Sequence, residues 1–246
     1  MTEKESKSID VLGIKPVADS ISHLTKASVD GASAFLGRIC LPAAAELGLL
    51  FQDKVRAWRA NNAVAVLIEA EARYEKYQIA RNTQAHPRLV AAVVEHSSWT
   101  DDQTLQKMWG GLLASSCSPD GRDESNLIFI NLLSQLTSLQ TRILCYACSN
   151  VGKSVTAEGL ILPDRGLYVD VNVLKEIAKI DDIHRLDAEI DHLCGLKLMS
   201  GGFLPGSNHV DVCPTALALN LFVRSQGFTG PAGTFFNLTP STVHTG

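Results

Sequence analysis

The chain has 246 residues, of which 46% are hydrophobic and 20% are charged. This composition supports a packed core and excludes a globally disordered protein. The formal net charge is −4 and the pI is near 6.0, whereas a protein that coats DNA normally carries a basic excess. Residues 1–10 are polar and charged, unlike a secretory signal, and predict a cytoplasmic protein whose six cysteines are reduced.

The N-terminal half is predicted to be helical. Residues 1–8 are expected to form a disordered tail, and residues 9–125 a helical domain with long helices. A stretch rich in Ala, Gly and Leu covers residues 31–50, and Pro42 is expected to start a helix within it. Apolar residues then recur every three or four positions, which predicts one or two long amphipathic helices. These residues are Leu47, Phe51, Val55, Trp58, Ala63, Leu67, Ala70, Tyr74 and Tyr77.

Shorter helices are predicted next along the chain. One begins at His86-Pro87 and runs to about residue 96. Another runs to about residue 116, and Thr100 with Gln103 resembles a capping box at its start. The sequence Ser-Pro-Asp-Gly at residues 118–121 predicts a turn.

The C-terminal half is predicted to be a winged-helix-like domain over residues 126–228. Helices are expected over residues 139–150, 171–179 and 183–198. Thr137-Ser138 is expected to cap the first of them, and Asp181-Asp182 the last. A β-hairpin is expected over residues 203–212 and a closing helix over residues 215–226. Residues 229–246, rich in Gly, Thr and Pro, are expected to be a flexible tail. The predicted fold class is therefore mainly α, with one small β-hairpin in the C-terminal domain.

Three sequence blocks together resemble the Abi-alpha family of bacterial abortive-infection proteins. The first covers residues 47–48 and 55–62, and includes Val-Arg-Ala-Trp-Arg. The second is Met-Trp-Gly-Gly-Leu-Leu-Ala-Ser-Ser at residues 108–116, followed by Ser-Pro-Asp at 118–120. The third is Leu-Ser-Gln-Leu-Thr-Ser-Leu-Gln at residues 133–140. The sequence departs from the family at Ser138, where proline is common, and at Gly110-Gly111.

The resemblance implies a non-enzymatic antiphage defence protein that acts as an infection sensor or effector through protein or membrane binding. It implies no catalytic residue, cofactor or metal. The implied partner is a companion defence protein or a phage component. Membrane lipid and a second copy of the chain are alternatives, and nucleic acid ranks below them. The expected location is the cytoplasm, with peripheral membrane attachment left open.

Several local motifs are interpreted as structural rather than chemical. Gly152-Lys153-Ser154 is similar to the end of a phosphate-binding loop, but Ala147 stands where that loop needs its first glycine. Cys145 and Cys148 form a C-x-x-C pair without a second close pair, so buried thiols are favoured over zinc. No nucleophile-elbow motif marks any serine.

Two surfaces are candidates for binding. The first is an apolar and cationic surface for a membrane or a partner, consisting of Phe35, Leu36, Arg38, Lys54, Arg56 and Arg59. A plain pair of core helices is the alternative interpretation. The second is a recognition helix with His184, Arg185, His192 and Lys197, which would make the protein a DNA-binding regulator. Acidic residues on that helix, and a net charge of about −2 over residues 172–228, weigh against DNA.

Overall fold

A computed structural model describes residues 26–40 and 54–239. The described chain is mainly helical, with small antiparallel sheets. Its helices are α1 (Lys26–Ile39), α2 (Lys54–Lys76), α3 (Pro87–Ser97), α4 (Gln103–Ser115), α5 (Leu127–Leu133), α6 (Ser138–Asn150), α7 (Val171–Ala178), α8 (Ile183–Gly195), α9 (Ala216–Ser225) and α10 (Ala232–Phe235). Its strands are β1 (Gln84–Ala85), β2 (Cys117–Ser118), β3 (Lys153–Val155), β4 (Ile161–Pro163), β5 (Tyr168–Asp170), β6 (Gly202–Phe203) and β7 (His209–Asp211).

Helix α4 lies at the centre of the molecule, and two adjacent glycines allow its neighbours to approach closely. A Cβ atom on Gly110 would lie 2.7 Å from Glu69 Cβ and 2.9 Å from the backbone nitrogen of Ala70 in α2. A Cβ atom on Gly111 would overlap the carbonyl group of Ser225 at the end of α9. The Gly-Gly pair therefore places α4 between an N-terminal and a C-terminal helix.

The predicted apolar stripe on α2 is confirmed over most of the helix. Ala63, Leu67, Ala70 and Tyr74 are buried. Trp58 is 38% exposed, and Tyr77, just beyond the end of α2, is half-buried. The side chain of Val55 lies outside the described part of the structure. Leu47 and Phe51, which were predicted to continue the stripe, lie outside the described residues, as does Pro42.

The helix starts show one wrong prediction and two confirmed ones. Asp102, rather than Thr100, caps α4, since its Oδ1 accepts hydrogen bonds from the amides of Thr104 and Leu105. Thr137 and Gln140 form a reciprocal capping box at α6, and Asp182 caps α8. Each cap satisfies backbone N–H groups that have no partner within the helix.

Asn126 cross-links the end of α4 to the loop before α5. Its Nδ2 donates to the hydroxyls of Ser115 and Ser116 at 2.9 and 3.0 Å. Asn126 stands at the N-cap position of α5, but its side chain accepts no hydrogen bond from the first turn of that helix. The small Ser115 and Ser116 side chains are buried here.

The predicted hairpin near residues 203–212 is confirmed as β6 and β7, which pair antiparallel. Strand β7 also pairs with β5, so the three strands have the order β5-β7-β6. Strands β3 and β4 pair antiparallel and form a separate hairpin. Gly159, with φ of 88°, turns the chain between them.

The two predicted domains share one hydrophobic core, whose buried residues run from Ala32 to Ala232. Part of the predicted flexible tail also belongs to the fold. Helix α10 lies within residues 229–239, and the rings of Phe235 and Phe236 pack against Phe222. This packing of three aromatic rings explains why glycine-rich sequence here still orders. The predicted tails at residues 1–8 and 240–246 lie outside the described residues.

Candidate functional site

Two tryptophan side chains lie side by side at the surface. Trp58 comes from the first turns of α2, and Trp99 lies in the turn between α3 and α4. Their ring centroids are 6.4 Å apart, with the ring planes at 57°, and Trp99 is 52% exposed. With Arg59 and Glu95, described next, these residues form what we call the tryptophan surface.

Arg59 and Glu95 both hold Trp99 in place, Arg59 over the ring and Glu95 at the indole N–H. The guanidinium carbon of Arg59 lies 4.1 Å from the Trp99 ring centroid, a cation–π contact. Arg59 Nη2 also donates to Glu95 Oε2 at 2.7 Å, and Trp99 Nε1 donates to Glu95 Oε1 at 3.1 Å. Burial opposes ionisation of Glu95, but the hydrogen bonds from Trp99 and Arg59 outweigh it and lower the pKa of this carboxyl. The exposed indole is therefore held in a defined position.

Polar contacts beneath the tryptophan surface fix the turn that carries Trp99. Asn62 Nδ2 donates to the carbonyl oxygen of Ser98 at 3.0 Å. Arg59 Nε donates to Ser98 Oγ at 3.0 Å, and Gln106 Nε2 donates to the carbonyl oxygen of Thr100 at 3.0 Å. These bonds tie the turn to α2 and α4, so the tryptophan surface rests on rigid elements.

A cavity of about 370 Å³ adjoins the tryptophan surface and shares Trp99 with it. It lies between the turn that joins α3 to α4 and the turn that joins α5 to α6. His96 stacks on Trp109 along one wall, with centroids 6.0 Å apart and planes at 13°. The cavity is lined by His96, Trp99, Thr100, Asp101, Asp102, Leu105, Trp109, Leu133, Ser134, Leu136, Thr137 and Ser138. All three tryptophans of the chain thus meet at the tryptophan surface and this cavity.

The predicted apolar and cationic surface does not form as one surface. Phe35 and Leu36 are 1% and 0% exposed, which corrects their predicted place on a binding surface. The apolar face of α1 packs against protein because α2 covers it. Arg38 is exposed, with its guanidinium carbon 4.9 Å from the Tyr74 ring centroid.

The cationic part of that prediction lies on α2. Lys54 and Arg56 belong to the first turn of α2, and their side chains are outside the described part of the structure. Arg59 is brought into the tryptophan surface, where Glu95 neutralises its charge. Its side chain is 13% exposed, so the prediction of a free cationic face is wrong at Arg59.

The helix predicted over residues 183–198 is present as α8 (Ile183–Gly195), and the four cations predicted on it have different environments. His184 is exposed, and Arg185 lies 3.6 Å from Glu189 within the same helix. His192 Nδ1 lies 2.8 Å from Gln140 Nε2 of α6. Lys197 lies beyond the end of α8, in a left-handed conformation with φ of 58°. The structure thus leaves His184 and Lys197 as solvent-facing groups, while His192 contacts α6.

The Gly152-Lys153-Ser154 segment follows the C-terminal end of α6. Lys153 Nζ donates to the carbonyl oxygens of Val151 and Ser149 at 2.8 and 3.4 Å. It also lies 4.5 Å from the ring centroid of Phe236. Burial lowers the pKa of Lys153, although Cys148 and Asp164 oppose this shift. A phosphate loop instead precedes the N-terminal end of a helix, where N–H groups face the anion.

The C-x-x-C cysteines lie on the inner side of α6. Burial raises the pKa of Cys145 to about 12, and raises the pKa of the fully buried Cys148 as well. Such thiols are protonated near neutral pH, whereas metal ligation and nucleophilic attack need the thiolate. Within residues 26–40 and 54–239, no group of three or more metal-binding side chains lies together. The same residues contain no helix that is both long and apolar enough to cross a membrane.

Sequence reasoning missed Trp99 and Glu95 as site residues. Neither forms a periodic pattern with Arg59, because they lie 40 and 36 positions further along the chain. The local signal was the sequence Trp-Thr-Asp-Asp at residues 99–102, which ends at the cap of α4. Because Trp99 lies in a short polar turn, the residues next to it in sequence cannot bury its ring.

Comparison with known proteins supports the family resemblance. Residues 62–210 match the family described as abortive infection alpha. No curated protein and no solved structure matches the chain significantly. The match spans more than half of the chain, and includes Trp99, Trp109, the glycine pair of α4 and the cavity between the helix turns. The chain therefore belongs to the abortive infection alpha family.

Proposed function

We propose that this protein is a non-enzymatic antiphage defence protein that senses infection, or carries out the response to it, by binding a protein partner. Membership of the abortive infection alpha family carries the assignment to defence. The exposed Trp58–Trp99 pair supports binding as the mode of action. The raised pKa values of Cys145 and Cys148 support a role without a thiol nucleophile.

The tryptophan surface has the composition of a binding hot spot. Tryptophan and arginine are enriched among the residues that dominate the energy of protein interfaces. A buried tryptophan removes up to about 250 Å² from water, so the exposed parts of Trp58 and Trp99 offer roughly 200 Å². Covering that area would contribute at most about 5 kcal/mol before the entropy cost of association.

A protein partner is favoured over an anionic membrane because of the pairing of Arg59. Lipid binding by a basic surface needs cations that are free to meet the headgroups. The Arg59 guanidinium instead bonds to Glu95 and lies over Trp99. A neutral aromatic surface with fixed hydrogen bonds suits a protein that covers both indoles.

Phage protection by the full-length protein tests this proposal. Trp58→Ala should reduce protection of a bacterial host at least about tenfold, since a hot-spot side chain contributes more than about 1.4 kcal/mol to binding. Ile68→Ala is the matched control, because Ile68 lies on the same helix and is 36% exposed. Both variants should retain the melting temperature of the parent protein.

Three results would contradict the proposal. The first is that the parent protein gives no protection, and the second is that Trp58→Ala protects as well as the parent. The third is that Ile68→Ala loses as much protection as Trp58→Ala. The first outcome would remove the defence role. The second and third would separate defence from the tryptophan surface.

A DNA-binding regulator is the second candidate, and the order of elements in the C-terminal half favours it. From α6 to β7 the order is helix, strand pair, strand, two helices and a β-hairpin, with the strand order β5-β7-β6. This arrangement supports the proposal of a winged-helix-like unit, in which α8 would be the recognition helix. The exposed Asp187 and Asp191, and the pairing of Arg185 with Glu189, oppose contact with phosphates.

Fluorescence anisotropy with a labelled DNA duplex separates the two candidates. A regulator would bind the duplex with an affinity that falls steeply with salt, and an Arg185→Ala and Lys197→Ala double variant would weaken binding. We expect no binding at physiological salt. A salt-dependent complex that the double variant weakens would favour the regulator instead.

A further inference from the structure

The cavity beside the tryptophan surface has the size of a small binding site. Its volume of about 370 Å³ lies at the lower end of the range for small-molecule sites. That volume is enough for one long side chain with a few water molecules. Trp99 belongs both to the cavity wall and to the tryptophan surface, so a chain covering that surface could also reach the cavity.

The carboxylates at the cavity differ in their contacts. Asp102 is fully engaged, because Oδ1 caps α4 and Oδ2 accepts from Arg142 Nη1 at 3.0 Å. Asp101 is exposed, and within the described residues it has no ion-pair partner. The remaining ionisable group in the wall is His96. A free carboxylate therefore lines the cavity, and its natural complement is a cation.

The aromatic wall also favours a cation. Trp99 already holds one guanidinium, that of Arg59, at 4.1 Å from its ring centroid. His96 stacks on the buried Trp109, so the exposed imidazole covers that indole where the two rings line the cavity. Aromatic rings combined with a carboxylate are the usual environment in which proteins recognise ammonium and guanidinium groups.

The backbone amides at the two helix starts are already used in part. Asp102 Oδ1 accepts from the amides of Thr104 and Leu105 at 2.9 and 3.1 Å. Thr137 Oγ1 accepts from the amide of Gln140 at 3.2 Å. An anion in the cavity would compete with these side-chain caps and would face Asp101.

We infer that this cavity binds a basic side chain, a guanidinium or an ammonium group, presented by the protein that covers the tryptophan surface. The identity of the occupant as a partner's side chain rests on the proposed function. Recognition of the cation itself does not, because every residue that lines the cavity belongs to the described part of this chain.

Three small probes test the inference on the full-length protein. They are Nα-acetylarginine amide, its neutral isostere Nα-acetylcitrulline amide, and Nα-acetylglutamate amide. The indole N–H signals of Trp99 and Trp109 report binding by NMR, after assignment with a Trp99→Phe variant. The arginine probe should shift both signals with millimolar affinity, and citrulline should bind at least about fivefold more weakly.

Asp101→Asn should weaken binding of the arginine probe about fivefold, because one partly solvated ion pair is lost. Asp187→Asn is the matched control, since it removes one exposed carboxylate from α8, and it should change nothing. Equal binding of citrulline, stronger binding of the glutamate probe, an unchanged affinity in Asp101→Asn, or no shift with any probe would each overturn the inference.

The two proposals fail separately. Trp58 does not line the cavity, so Trp58→Ala should reduce protection at least about tenfold while leaving arginine binding intact. If protection depends on Trp58 but no probe binds, the cavity inference is wrong and the proposed function stands. If the probes bind but Trp58→Ala protects fully, the cavity recognises cations and the proposed partner surface is wrong.

Discussion

Replacing Gly111 by alanine should separate two helices of the core. Helix α4 contacts the C-terminal end of α9 through the bare backbone of Gly111, where an added Cβ would overlap the Ser225 carbonyl group. The obstacle is backbone rather than a flexible side chain. One of the two helices would therefore have to move to restore an ordinary carbon–oxygen contact.

The magnitude follows from two opposing effects. Overpacking a well-packed core costs about 1–3 kcal/mol, and sometimes more. Alanine in place of a helical glycine returns at most about 1 kcal/mol through helix propensity. Because the overlap involves a carbonyl group, we place the packing cost at the upper end of that range, and expect a net destabilisation of about 2 kcal/mol. For a chain of this size, that lowers the melting temperature by roughly 4–8 °C.

Thermal unfolding followed by far-ultraviolet circular dichroism measures this effect. Gly37→Ala is the matched control, because Gly37 lies within α1 and an added Cβ there meets no atom of the described residues within 4 Å. That variant should keep or raise the melting temperature, because alanine adds up to about 1 kcal/mol to the free energy of unfolding through helix propensity. If Gly111→Ala melts at or above the parent temperature, the close approach of α4 and α9 is wrong.

Three further predictions concern the loop after α6, a buried thiol and membranes. Lys153→Ala should leave phage protection intact, because Lys153 Nζ donates to carbonyl oxygens at the end of α6. Loss of protection in a folded variant would instead favour a nucleotide-binding role for this loop. Burial raises the pKa of Cys117 to about 12, so the folded state keeps a proton that the unfolded state releases above about pH 9. The free energy of unfolding should therefore fall as pH rises from about 9 to 12, by about 1.4 kcal/mol per pH unit for this thiol. Urea unfolding of Cys117→Ala should show a shallower decline with pH. A decline as steep as that of the parent protein would refute the raised pKa. Anionic vesicles should not carry the full-length protein in flotation, since Arg59 is paired with Glu95; flotation that weakens with salt would instead establish lipid binding.

Local sequence signals predicted most of the helices and several of their ends. The recurrence of Ala63, Leu67, Ala70 and Tyr74 identified the inner face of α2, because the helical period places them in one line. The capping box at Thr137 was also local information, since the bonds join residues three positions apart. At α4 the same reasoning chose Thr100 instead of Asp102, because both types of side chain can cap a helix.

The sequence by itself determined that the chain is mainly helical and belongs with the abortive infection alpha proteins. Only the tertiary structure decided which apolar faces are covered and which polar groups meet. Phe35 and Leu36 had the pattern of a surface that binds lipid, but α2 covers them, and an apolar stripe does not encode what covers it. The tryptophan surface joins α2 to a turn about 40 residues later. Its contacts depend on how the helices pack against the small residues of α4. The spacing of apolar residues along one helix carries no information about that packing.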